Sequence, residues 1–213
     1  AMAAEPGALP KRVVTGQEVI KAKRFASDDL LGNNTSITNH SDRPTLTVKS
    51  APSSQELADF GRKTYDDFCQ AAELTEASVT GHEIVLCVGN AAEIEALRQK
   101  WAPEAKLYGT WTWHHQLNTK RQRYDIFLFV IDDDRNPSKS RREILQCMTA
   151  GFRFYAKSKE FPQSIFYPDS TAEALSDIDR QLLRFYATFI KSNDSKEQVV
   201  YAVEKNWAAM VAP

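Results

Sequence analysis

The residues with most chemical promise follow the most apolar stretch of the chain and read Asp132-Asp133-Asp134-Arg135-Asn136-Pro137-Ser138-Lys139-Ser140-Arg141-Arg142-Glu143-Ile144-Leu145-Gln146. Two metal chemistries can be laid on them. Asp132, Asp134, Asn136, Ser138, Ser140 and Glu143 fall at positions 1, 3, 5, 7, 9 and 12 of a calcium-loop register, which supplies the oxygen ligands a hard cation needs. Position 6 is Pro137, however, and a ring that locks φ near −65° cannot make the sharp glycine turn of that loop. Asp132, Asp134, Asn136 and Glu143 are therefore the metal candidates, with a solvated, helix-capping acidic turn as the ordinary alternative.

The second chemistry is that of the His-Glu-x-x-His zinc helix, in which two imidazoles one turn apart bind the metal and the glutamate activates water. Arg142-Glu143-Ile144-Leu145-Gln146 keeps the glutamate and replaces both ligands. An arginine stays protonated and repels a cation, and Gln146 is a weak neutral ligand. The four histidines, His40, His82, His114 and His115, lie elsewhere, so a conventional zinc site is not expected. Glu143 remains the candidate general base, with Gln146 and Arg142 as orienting or polarising groups. The lost ligands incline the expectation away from catalysis. No cofactor is expected, with calcium or zinc as the alternatives.

Further candidates lie upstream and downstream. Thr110-Trp111-Thr112-Trp113 alternates strictly, giving a strand with one aromatic and one hydroxyl face. Trp111 and Trp113, with His114, His115 and Tyr167, are candidates for binding a ligand by stacking or strand addition. Aromatic burial is the commoner outcome, and it places both tryptophans in the core with Thr110 and Thr112 outward. Cys147, one turn after Glu143, is expected to be a buried free thiol rather than a nucleophile. Asp177 and Asp179 sit where a helix dipole favours carboxylates.

The elements that must position these groups are legible from periodicity. Thr45 to Lys49 alternates as a strand. Ser53 to Glu73 follows as a helix, with a Ser53/Glu56 capping box and a stripe of Leu57, Phe60, Thr64, Phe68 and Ala71. Ile84 to Val88 is apolar on both faces, as a central strand is. Asn90 and Glu93 cap a helix with stripe Ile94, Leu97 and Trp101, ended by Pro103. The link from His115 to Arg123 is short enough for an antiparallel hairpin into Tyr124–Ile131. Helices follow over Ser138 to about Lys157, from Ser176, and from a Ser195/Gln198 cap. Strand, helix, strand, helix, strand, strand and then helices alone predicts an α+β fold: a mixed, mostly four-stranded sheet with packed helices and an all-helical C-terminal third.

The 213 residues form one domain over 45–213 in this reading, behind an N-terminal arm or linker over 1–44. Val13 to Leu31 could hold a short helix anchored by Val19, Ile20 and Phe25, and the Asn, Thr and Ser of 32–44 read as a loop. Hydrophobic residues at 42% and charged residues at 26%, with a net charge of −1, describe a globular chain with no field to recruit nucleic acid. The longest apolar run, Ile126 to Ile131, is far short of the roughly 20 residues of a membrane helix, so no transmembrane segment is expected. Three cysteines do not make a disulfide scaffold. The opening Ala1–Gly7 stretch has neither a charged nor an apolar signal region and reads as a mature N-terminus or a cloning remnant.

The segment from Arg142 to Tyr186 resembles the C-terminal half of an uncharacterised family of bacterial exported proteins with a zincin-like, metallopeptidase-related fold. The residues that carry the resemblance are Glu143 and Gln146 on the helix, Gly151, Ser164-Ile165-Phe166, Leu175 to Arg180 and Leu182 to Tyr186. It implies a zincin-like fold with a peptidase-like cleft, and export to the periplasm or the extracellular space. Arg142 counts against peptidase activity. The expectation is an exported, non-catalytic pseudo-peptidase that binds a peptide, glycan or envelope protein. The alternatives are a hydrolase using Glu143 with an atypical metal site or none, and a calcium-stabilised structural domain.

Overall fold

A computed structural model describes residues 15–26, 43–75, 82–120, 123–154, 157–191 and 193–211. The elements are α1 (Gly16–Arg24), β1 (Thr45–Ser50), α2 (Gln55–Ala71), β2 (Glu83–Gly89), α3 (Ala91–Trp101), β3 (Trp111–Asn118), β4 (Arg123–Ile131), α4 (Pro137–Gly151), α5 (Asp177–Phe189) and α6 (Lys196–Val211). The fold is α+β, with a four-stranded mixed sheet and, among the described residues, helices but no strand after β4. No described helix is long and apolar enough to cross a membrane.

The chain clusters into two compact units. One holds residues 1–41, 68–74 and 155–213, and the other holds 42–67 and 75–154. The expectation of a single domain over 45–213 stands beside this division, and α1, inside the stretch read as an arm, packs within the first unit.

The second unit is built on the sheet, in the order β1-β2-β4-β3. β1 and β4 both run parallel to β2, and β3 is antiparallel to β4 through the expected hairpin. β2 lies inside the sheet and is buried from Ile84 to Gly89, which is why both of its faces are apolar. Side chains alternate across the sheet. Val85, Cys87, Phe127 and Phe129 pack with Ile94 of α3, Ala102 and Ala105. Ile84, Leu86, Ile126 and Leu128 line the other face, against α2 and α4. Gly61 and Gly151 permit that approach. A Cβ on Gly61 would stand 2.3 Å from Leu86 Cδ2, and one on Gly151 would stand 3.0 Å from Ile84 Cδ1.

The first unit has an aromatic core. Phe25, beyond the end of α1, meets Phe166 edge-on at 5.3 Å and lies 6.4 Å from Phe161 and 6.5 Å from Tyr186. Phe185 on α5 meets Trp207 on α6 edge-on at 5.4 Å. Lys23 and Glu204 join α1 to α6 at the surface.

Several expectations need correction. The proposed helix over Val13–Leu31 is Gly16–Arg24 where described, and Ile20 is exposed rather than an anchor; Val13 and residues 27–42 lie outside the described residues. The Ser53/Glu56 box gives way to a 3-10 turn over Pro52–Ser54, and Glu56 instead accepts from Arg141 on α4. Trp101 leaves the core stripe of α3 because Lys49 and Lys100 draw its ring to the surface, with Lys49 Nζ 3.9 Å from the ring centroid. His115 lies within β3 rather than in a link. α4 ends at Gly151, before a left-handed Arg153 (φ 61°), instead of running to Lys157; Tyr155 lies outside the described residues. The two faces of β3 are reversed. Thr112 is buried with its hydroxyl towards the Lys106 carbonyl, while Trp113 is 40% exposed and Trp111 is half-buried.

Candidate functional site

The turn between β4 and α4 is fixed by its own polar groups. Asn136 caps α4, its Oδ1 accepting from Lys139 N at 3.2 Å, and Pro137 follows at the first helical position, where its missing N–H costs nothing. Asp133 Oδ1 accepts from Arg135 N at 3.1 Å. The fully buried Ser140 accepts from Asp133 N at 2.9 Å. Asn136 thus serves as a helix cap. Among the described residues no three His, Cys, Asp or Glu side chains gather as metal ligands, so Asp132, Asp134 and Glu143 are not brought together.

This turn starts α4 so that Glu143 is carried inward, at 7% exposure. Oε1 accepts from the Thr110 hydroxyl just before β3 and lies 4.0 Å from Lys139 Nζ, one helical turn earlier. Thr110 is itself held by Ile131 N, which donates to its carbonyl at 2.8 Å. Oε2 is buried without a hydrogen-bond partner among the described residues. Arg142 and Gln146 flank Glu143 on the helix and are half-buried.

The start of β3 contributes the other candidates. Trp111, Trp113, His115 and Leu117 pair with Val130, Leu128, Ile126 and Tyr124, which puts them on the α4 face of the sheet. Thr112, His114, Gln116 and Asn118 lie on the α3 face, so the adjacent histidines are separated as expected. The rings of Trp113 and His115 are 4.8 Å apart. Burial first, then the charges of Arg153 and His114, hold the His115 imidazole below its ordinary pKa. Trp113 (40% exposed) and Leu117 (52%) on β3, the strand that ends the sheet, and Tyr124 (51%) beside them on β4 form a partly exposed apolar strip. Tyr167 belongs to the other unit, in a turn where its N donates to the Ser164 carbonyl at 3.0 Å.

Two polar networks escape a sequence reading. On the α3 face, Arg123 bridges Glu83 and Asp125, while Thr47 donates to Glu83 and Asn118 donates to Asp125 at 2.7 Å. Charged residues at the ends of otherwise apolar strands were the available signal. In the other unit, Asp179 is a buried hub for Ser164, Ile165 and Ser176, a role that the dipole argument for a first-turn carboxylate does not contain.

Cys69, Cys87 and Cys147 are buried thiols that form no disulfide. Burial pushes the Cys87 thiol up to about 12, and drives Cys147 higher still with the Glu143 charge adding to it. A thiol reagent such as DTNB at pH 8 is therefore expected to label none of the three until denaturant is added. Stoichiometric labelling of the native protein within minutes would contradict this burial.

Comparison with protein-family models, with curated proteins and with solved structures gives no match for this chain.

Proposed function

We propose that this chain is a non-catalytic binding protein on a degenerate, zincin-like scaffold, exported, and that it takes an extended peptide along β3. The observation that carries the proposal is the strip of Trp113 and Leu117 on the terminal strand β3 and Tyr124 beside them on β4, large apolar side chains that are each 40–52% exposed. Such exposure costs solvation unless a partner covers it. A peptide strand laid beside β3 covers alternate side chains while its backbone pairs, which is the general mode of strand addition. The non-catalytic part rests on Arg142 and Gln146 standing where a zinc helix carries imidazoles, and on the Thr110 hydroxyl already occupying one of the two Glu143 oxygens, Oε1. The compartment rests on the sequence resemblance alone.

The test is selection of binders from a random peptide library on the immobilised protein, followed by calorimetry with an enriched peptide. Trp113→Ala is expected to weaken binding at least tenfold while moving the melting temperature by less than about 2 °C, because a partly exposed side chain carries little of the core. Glu143→Gln should leave the affinity unchanged. Failure to enrich any peptide, or equal affinity in Trp113→Ala, would refute the proposal.

A second reading is favoured by one observation, the unpartnered Glu143 Oε2, since a buried carboxylate oxygen without a donor calls for an explanation. In that reading Glu143 is the base of a hydrolase. Turnover of a peptide or ester substrate that Glu143→Gln abolishes would establish it over the first.

A further inference from the structure

A second site lies on the opposite face of the sheet. On that face Val85, Cys87, Phe127 and Phe129 pack with Ile94 of α3, Ala102 and Ala105. Beside them is a cavity of about 540 Å³. That volume is within the range of about 300–1,000 Å³ of small-molecule pockets. Leu117 and the edges of the buried Val85 and Phe127 are its apolar part, Trp101 forms a wall, and Thr47, Gln116 and Asn118 supply hydroxyl and amide groups.

The charges are arranged rather than scattered. Glu83, Arg123 and Asp125 form a network whose side chains are each less than 15% exposed, with Asp125 Oδ1 3.4 Å from Arg123 Nε. Holding three charges out of water is costly, so a purely solvated face does not require it. The network fixes Thr47 and Asn118, which both hydrogen-bond into it. Arg123 faces both carboxylates, while Lys49 and Lys120 line the cavity with no carboxylate within ion-pair distance among the described residues. Three cations against two carboxylates leave one positive charge, which suits a ligand with one negative charge better than a phosphate dianion. The Lys49 ammonium stands over the Trp101 ring, where it can meet an anion without leaving the aromatic surface.

We propose that this cavity binds an acidic sugar, a hexuronate or the uronate end of a glycan. Its carboxylate meets Lys49 and Lys120, its hydroxyls meet Thr47, Gln116 and Asn118, and its C–H surface lies against Trp101. Leu117 of the peptide strip also lines this cavity, so the two sites meet at that residue, while Trp113 and Tyr124 of the strip lie on the other face of the sheet.

The probe is glucuronate, titrated into the full chain and followed by tryptophan fluorescence and calorimetry, with glucose, acetate and inorganic phosphate as parallel titrants. Saturable glucuronate binding at least tenfold tighter than any of the three is expected. Lys49→Met, which keeps the aliphatic stem, should weaken it at least tenfold with an unchanged melting temperature, and Trp101→Phe should abolish the fluorescence change. Lys159→Met, in the other unit, should change nothing. Glucose binding as tightly would make the site a neutral-sugar site, acetate or phosphate binding as tightly would make it a simple anion site, and no saturable binding would leave it empty of function; each overturns the proposal. So would a Lys49→Met variant with unaltered affinity.

Discussion

Trp207→Ala is expected to be the most damaging single truncation in the chain, lowering stability by about 3–5 kcal/mol. Trp207 is fully buried on α6, its ring meets Phe185 edge-on at 5.4 Å, and its Nε1 donates to Glu18 on α1 at 3.2 Å. Alanine would lose the transfer energy of the largest side chain, leave a cavity that rigid aromatic neighbours fill poorly, and orphan a contact between α1 and α6. The melting transition should fall by roughly 10 °C. Trp207→Phe keeps the aromatic contact and drops the N–H, so it should cost less than half as much. Chemical denaturation of the two variants checks both numbers. A loss below about 1 kcal/mol for alanine would mean that Trp207 does not hold α6 in place.

Trp207 also shows what could be read in advance. Val199, Val203, Trp207 and Met210 recur at helical spacing, which predicts an inward stripe; the first three are buried and Met210, near the end of α6, is half-buried. The capping box of α3 was equally legible, since it is closed within four residues, whereas at α5 Ser176 marked the start and its box with Asp179 went unread. Trp101 and Trp113 were not legible. Periodicity says which residues share a face but not which face finds a cover, and Lys49, 52 positions from Trp101, is what holds that ring at the surface. At the candidate site, the helix carrying Glu143 follows from pattern. Its partner Thr110 lies 33 residues away and meets it only because β3 returns beside β4. The Glu83–Arg123–Asp125 network joins two strands in the same way, through a register that no local signal encodes.

Asp179 is where a local motif and a distant contact combine, and its removal is the second large effect expected. Its carboxylate is fully buried in the first unit. Oδ1 accepts from the Ser164 hydroxyl and from Ile165 N at 3.1 Å, and Oδ2 accepts from Ser176 N at 2.8 Å and from Ser176 Oγ at 2.7 Å. It therefore ties the Ser164–Phe166 turn to the start of α5, and Phe166 carries that tie into the aromatic core around Phe25. Asp179→Ala leaves buried donors without an acceptor and is expected to cost about 3 kcal/mol. Asp179→Asn keeps the shape and tests the charge. Burial raises the Asp179 pKa above the ordinary 3.8, and the hydrogen bonds from Ser164, Ser176 and Ile165 oppose that rise without cancelling it. The folded state thus holds this proton more tightly than the unfolded chain does. Its contribution is fully present below the unfolded pKa and is lost as pH rises through the folded one. Other carboxylates are common to both proteins, so the stability of the wild type relative to Asp179→Asn should decline as pH is raised from below the ordinary 3.8 through the higher folded pKa. A difference that grows with pH would mean that the hydrogen bonds outweigh burial and that the folded pKa lies below the unfolded one. A flat difference would mean that the two balance.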